Sequence, residues 1–91
     1  MRIVSQDGTL DVPYENAVLY QERKKIMCIF SGIYIGEKIA QYSTEEKAQK
    51  AMEMLREKYK DYAKATNKSN FFTMFDYPKV FQFPKDEDVE V

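Results

Sequence analysis

The segment STEEKAQKAMEMLREKYKDYAKA, residues 43–65, constrains the fold more than any other. Ala48, Ala51, Met52, Leu55, Tyr59, Tyr62 and Ala63 recur at steps of three and four, which gathers them into one apolar stripe of a helix over about residues 44–65. Ser43 with Glu46 three residues on reads as a capping box at its start. Lys47, Lys50, Glu53, Glu57, Lys60, Asp61 and Lys64 fall on the opposite, solvated face. Glu46 and Lys50 are spaced for an i,i+4 pair of about 0.2–0.5 kcal/mol. Met54 lies between stripe and solvent, the helix residue to check for a contact. A single stripe of this kind needs a partner surface, and the residues before it supply strands.

RIVSQDGTLDV sets Ile3 and Val4 before Asp7-Gly8 and Leu10 and Val12 after it, the pattern of a tight hairpin that ends near Pro13. Asp7 and Asp11 are placed for turn chemistry. NAVLYQE (16–22) and KIMCIF (25–30) flank Arg23-Lys24 as a second hairpin. In the later strand Ile26, Cys28 and Phe30 alternate with Met27 and Ile29, so both faces are apolar and the strand belongs at the centre of a sheet. A further strand is expected from about Ile33 to Tyr42, bent at Gly36. These local connections predict a meander of low contact order.

After the polar loop TNKSN, the stretch FFTMFDYPKVFQF (71–83) holds six aromatic residues. Its second half alternates, which predicts a last strand at about Lys79–Phe83 with Phe81 and Phe83 on one face. The acidic PKDEDVEV is either a frayed tail or a short edge strand guarded by charge. The expectation is a single α+β domain over residues 1–91, an antiparallel β-meander of about five strands packed against one long α-helix. Strands occupy about 2–42, the helix about 44–65, the aromatic segment and last strand 70–83, and the acidic tail 84–91. The helix covers one face of the sheet, and the aromatic segment or a second copy of the chain covers the other.

Fourteen basic and fifteen acidic residues nearly cancel, so no overall field favours long nucleic acid or an anionic membrane. No stretch approaches the roughly 18 apolar residues of a membrane span. There is no secretory signal pattern at the N-terminus, which points to the cytoplasm. The chain has no histidine, the commonest general base near neutral pH. Its one cysteine, Cys28, sits among apolar neighbours as an inert small hydrophobe; the competing reading, a reactive thiol, lacks a base to activate it. Gly8, Gly32 and Gly36 are separate turn or bend residues and form no phosphate loop. No enzymatic activity, metal or cofactor is expected.

Three blocks, RIVSQDGTLDVPYE (2–15), IAQYSTEEKAQKAMEMLREKY (39–59) and FQFPKDEDVEV (81–91), resemble a group of small proteins of Gram-positive bacteria and their phages and mobile elements, generally named only as hypothetical. The resemblance covers about half the chain and carries no catalytic residues. It implies a setting, the host cytoplasm, in which small proteins often act against bacterial defence, some as oligomeric sponges for cyclic nucleotide signals. The expected role is therefore non-enzymatic binding of a small cyclic nucleotide by a homo-oligomer. Arg23 and Lys25 would contact phosphate, while Tyr34, Phe72 and Tyr77 would stack on bases. The alternatives are a solvated turn for the two cations, core or interface packing for the rings, and, for the whole protein, an interaction module acting on a host protein.

Overall fold

The computed structural model describes residues 1–30, 36–67 and 80–91, the side chains of 64–67 excepted. In chain order its elements are β1 (Arg2–Val4), β2 (Asp11–Pro13), β3 (Ala17–Glu22), β4 (Lys25–Phe30), β5 (Glu37–Gln41), α1 (Glu45–Asn67) and β6 (Val80–Gln82). The α+β class follows, with one long helix packed on an antiparallel meander.

The meander is β3-β4-β5, with the doubly apolar β4 in the middle. Ile26 and Cys28 on its inner face are wholly buried. The stripe residues Ala48, Ala51, Met52 and Leu55 join them in one core. Met27 and Ile29 on the opposite face are only half-buried. Gly36 admits the Tyr20 hydroxyl and the end of Met27 so closely that a Cβ at this position would collide with the tyrosine.

The N-terminal hairpin does not extend that meander. It forms a second three-stranded sheet, β2-β1-β6, in which β6 runs parallel to β1 with Ile3 opposite Phe81. Hairpin geometry fixes β1 against β2, but only the tertiary fold brings β6 back to β1 across almost the whole chain. The contact order is correspondingly higher than a meander alone implies. Phe81 and Phe83 both enter the core, their rings edge to face at 5.2 Å.

Gln6 joins the two sheets. Its backbone N–H donates to the Ile39 carbonyl (2.9 Å), its side-chain oxygen accepts from the Gln41 N–H (3.0 Å), and its amide donates to the Pro84 carbonyl (3.1 Å). The turn before β2 is held by Asp7, which accepts from the Ser5 hydroxyl and from the Thr9 hydroxyl and N–H. These bonds, that from Ser5 foremost, pull its carboxyl down to about 2. Gly8 supplies the left-handed φ of 79° at the tip. Asp11 takes no part in the turn; it is ion-paired with Arg2 across the hairpin at 2.9 Å.

Three further expectations are corrected. The helix cap is Thr44, whose hydroxyl accepts the Lys47 N–H (3.1 Å), and the N–H of Ser43 donates to Asp86 (2.7 Å). On the solvated face the described pairs are Lys50 with Glu53 and Glu57 with Lys60, three residues apart, instead of Glu46 with Lys50. The C-terminal segment is neither frayed nor a strand. A 3-10 turn at Asp86–Asp88 seats Val89 in the core at 3% exposure, and Lys47 reaches both the side chain and the carbonyl of Asp86. The expected strand residues 33–35 and the aromatic residues 71–77 lie outside the described residues.

Candidate functional site

The β3-β4 connection takes only two residues, Arg23 and Lys24, because Glu22 and Lys25 face each other as the last pair of the ladder. A tight hairpin of this kind demands left-handed backbone, and Arg23 adopts it at φ 57°. An L-residue with a full side chain there costs about 1–2 kcal/mol relative to an ordinary conformation. The tip is fixed from two sides. The Gln21 amide donates to the carbonyls of Arg23 (2.9 Å) and Glu45 (3.1 Å), and the Tyr42 N–H donates to the Lys24 carbonyl (2.8 Å). The hairpin is thereby stapled to the first turn of α1 and to the end of β5.

Between these elements opens a cleft of about 360 Å³ lined by Glu22, Arg23, Lys24, Lys25, Gln41 and Glu45. Three consecutive cations face two carboxylates across it, yet no ion pair forms between them among the described residues. The cations are therefore available to an external anion. A planar guanidinium and two ammonium groups suit phosphate or carboxylate oxygens. Glu22 and Glu45 limit the charge such a ligand can carry, since like charges repel at this range.

Of the five residues expected at the site, the structure brings Arg23 and Lys25 together in this cleft, while Tyr34, Phe72 and Tyr77 lie outside the described residues. Glu22, Gln41 and Glu45 were missed as lining residues, and Lys24 was placed at the tip without a ligand role. Lys24 was legible from its place in the turn. Gln41 was not, because it arrives as the ladder partner of Lys25 through the β4-β5 register, and Glu45 was not, because its approach depends on how α1 packs.

A second depression, of about 420 Å³, lies between α1 and β6, with Met54 and Phe81 among its lining residues together with Lys50, Glu53, Glu57 and Lys58. Met54, singled out from its place off the stripe, packs against the core here. Cys28 is wholly buried, and burial, with Glu37 nearby, pushes its thiol up from the ordinary value, so it is poorly nucleophilic. No described helix is long and apolar enough to cross a membrane. Comparisons with protein-family models, curated proteins and solved structures give no match.

Proposed function

We propose that the protein is a non-enzymatic binding protein that holds a small phosphate-bearing ligand in the hairpin-tip cleft. The observation that carries this reading is the set of three adjacent cations, none ion-paired among the described residues, on a tip where Arg23 is kept in a left-handed conformation that glycine would occupy without strain. Few cations suffice for a single phosphate group, whereas long nucleic acid requires a broader basic face. The resemblance to phage and mobile-element proteins supports placing the ligand among the cyclic nucleotide signals of bacterial immunity, which the protein would sequester as a homo-oligomer in the host cytoplasm.

Thermal shift against inorganic phosphate and a panel of cyclic di- and trinucleotides tests the reading. A ligand at 100 times its dissociation constant adds about 2.7 kcal/mol. The expected result is a rise in melting temperature with at least one cyclic nucleotide, lost in the Arg23→Gly/Lys25→Gln variant. In the absence of ligand Arg23→Gly should itself be neutral to stabilising, since relief of about 1–2 kcal/mol of backbone strain is set against about 0.5–1 kcal/mol of added chain entropy. No shift with any phosphate compound at millimolar concentration overturns the reading. A second reading, docking of a host protein, is favoured by the groove between α1 and β6, whose Met54 and Phe81 lie among charged residues as an amphipathic peptide would require.

A further inference from the structure

Two three-stranded sheets present four edges, and they are treated differently. β2 is three residues long, ends in Pro13 and carries the Arg2–Asp11 ion pair. β6 is also only three residues long. β5 is engaged along its outer side by Gln6, which accepts from Gln41 and donates to Ile39. These are the usual protections against edge-to-edge pairing: shortness, proline, charge and cover. β3 is the least protected of the four among the described residues: its one charge, Glu22, sits at the turn, and only its Ala17 end is covered, by the Tyr14–Asn16 3-10 turn. It is six residues long, AVLYQE, with neither lysine nor proline and no bulge against β4.

The direction of its free backbone groups follows from the hairpin. Glu22 and Lys25 close a two-residue turn and so exchange hydrogen bonds with each other, and the ladder alternates from there. Tyr20 and Val18 therefore bond to β4, while Gln21, Leu19 and Ala17 turn their N–H and C=O groups away from it. The Ala17 N–H agrees, donating to the Tyr14 carbonyl and not to β4. Val18, at 61% exposure, and Tyr20 stand on the outer face of the same strand.

We propose that this edge docks a second copy of the chain, the two β3 strands pairing antiparallel about a two-fold axis at Leu19. The proposal rests on the homo-oligomer reading above and shares with the anion cleft only the Arg23-Lys24 tip. With that axis, Leu19 N–H and C=O groups of the two copies bond each other. The Gln21 N–H of each reaches the Ala17 carbonyl of the other, which leaves the occupied Ala17 N–H where it is. Val18 of one copy comes opposite Tyr20 of the other as a close, non-hydrogen-bonded pair, the Tyr20 ring leaning across β4 toward Gly36. The charge pattern selects the antiparallel sense. Glu15, ion-paired with the N-terminal ammonium at 2.8 Å but still half-exposed just before β3, comes beside the cationic Arg23-Lys24 tip of the other copy, whereas parallel pairing would set the two cationic tips together. The result is a continuous six-stranded sheet with a self-complementary interface.

The test is the mass in solution, by light scattering at about 100 µM, a concentration that reveals a micromolar dimer. The wild-type chain is expected at twice its monomer mass. Val18→Lys, a charge placed on an exposed edge position, should reduce it to the monomer mass with an unchanged circular dichroism spectrum. An equimolar mixture of Val18→Cys and Tyr20→Cys should form a mixed disulfide under mild oxidation, while Val18→Cys alone should not, since the two copies of residue 18 are diagonal neighbours too far apart to bridge. A monomeric wild type, a Val18→Lys variant that remains dimeric, or an absent mixed disulfide each overturns the proposal. Phosphate titration of the Val18→Lys monomer still reports on the cleft, so the two readings fail independently.

Discussion

At the start of α1 Thr44 takes the role that the sequence assigns to Ser43, and Asp86 takes up that of Glu46. Its carboxylate accepts the Ser43 N–H and pairs with Lys47 at 3.3 Å, and these bonds, Ser43 first, hold its carboxyl below the ordinary aspartate value. An acid whose pKa falls on folding stabilises the folded state fully above its unfolded value, about pH 4, and loses that contribution as the pH falls through the lowered one. Asp7 adds a second loss of the same sign, extending toward about pH 2. Asp86→Asn is therefore expected to lower the melting temperature at pH 7 and to flatten its decline between about pH 5 and 3, as followed by thermal melts across that range. Tyr42 donates to the Pro84 carbonyl at 2.7 Å, and desolvation pushes its phenol far up. Its hydroxyl is a fixed donor at any working pH.

At the scale of the element, the helix shows how far a local pattern reaches. The stripe was legible residue by residue: Ala48, Ala51, Met52 and Leu55 are buried, and Tyr59 and Tyr62 continue it at 6.0 Å from each other, with the Tyr14 ring tilted against Tyr59 at 4.3 Å. The cap was not, because Ser43 is by itself the better side-chain cap, yet with its N–H bonded to Asp86 it is Thr44 that caps the helix. Thr44→Ala is expected to cost about 1 kcal/mol and Ser43→Ala much less, measured by urea denaturation. The reverse order would restore the capping box. The tight β3-β4 hairpin was similarly visible from its flanking apolar runs, although its left-handed residue is Arg23, where asparagine or glycine would ordinarily signal the turn.

At the scale of the whole molecule, the closing event is the return of the C-terminal residues. β6 pairs with β1, Phe83 is buried, and its N–H donates to the Val4 carbonyl at 3.1 Å. Such contacts cost loop-closure entropy before they stabilise anything, so they are expected to form late. Phe83→Ala should destabilise by about 3–5 kcal/mol. Most of that loss should appear as faster unfolding, with a φ-value near zero in stopped-flow chevrons, because the contact is absent from the transition state. A φ-value near one would place β6 in the folding nucleus.

The sequence by itself determined the elements whose causes are local: the helix from its 3.6-residue period, the hairpins from Asp7-Gly8 and the short Arg23-Lys24 link, the central place of β4 from its two apolar faces. It also determined that Arg23 and Lys25 share one end of a hairpin. The tertiary structure alone decided that the strands divide into two sheets, that β6 lies parallel to β1, and that Asp86 meets the start of α1. It also brought Gln41 and Glu45 to the cationic tip. The physical reason is one of range. Periodicity and turn chemistry act over a few residues, whereas the second group of contacts joins residues from about sixteen to about eighty positions apart. Those pairings are chosen by shared burial, which no short window of sequence contains.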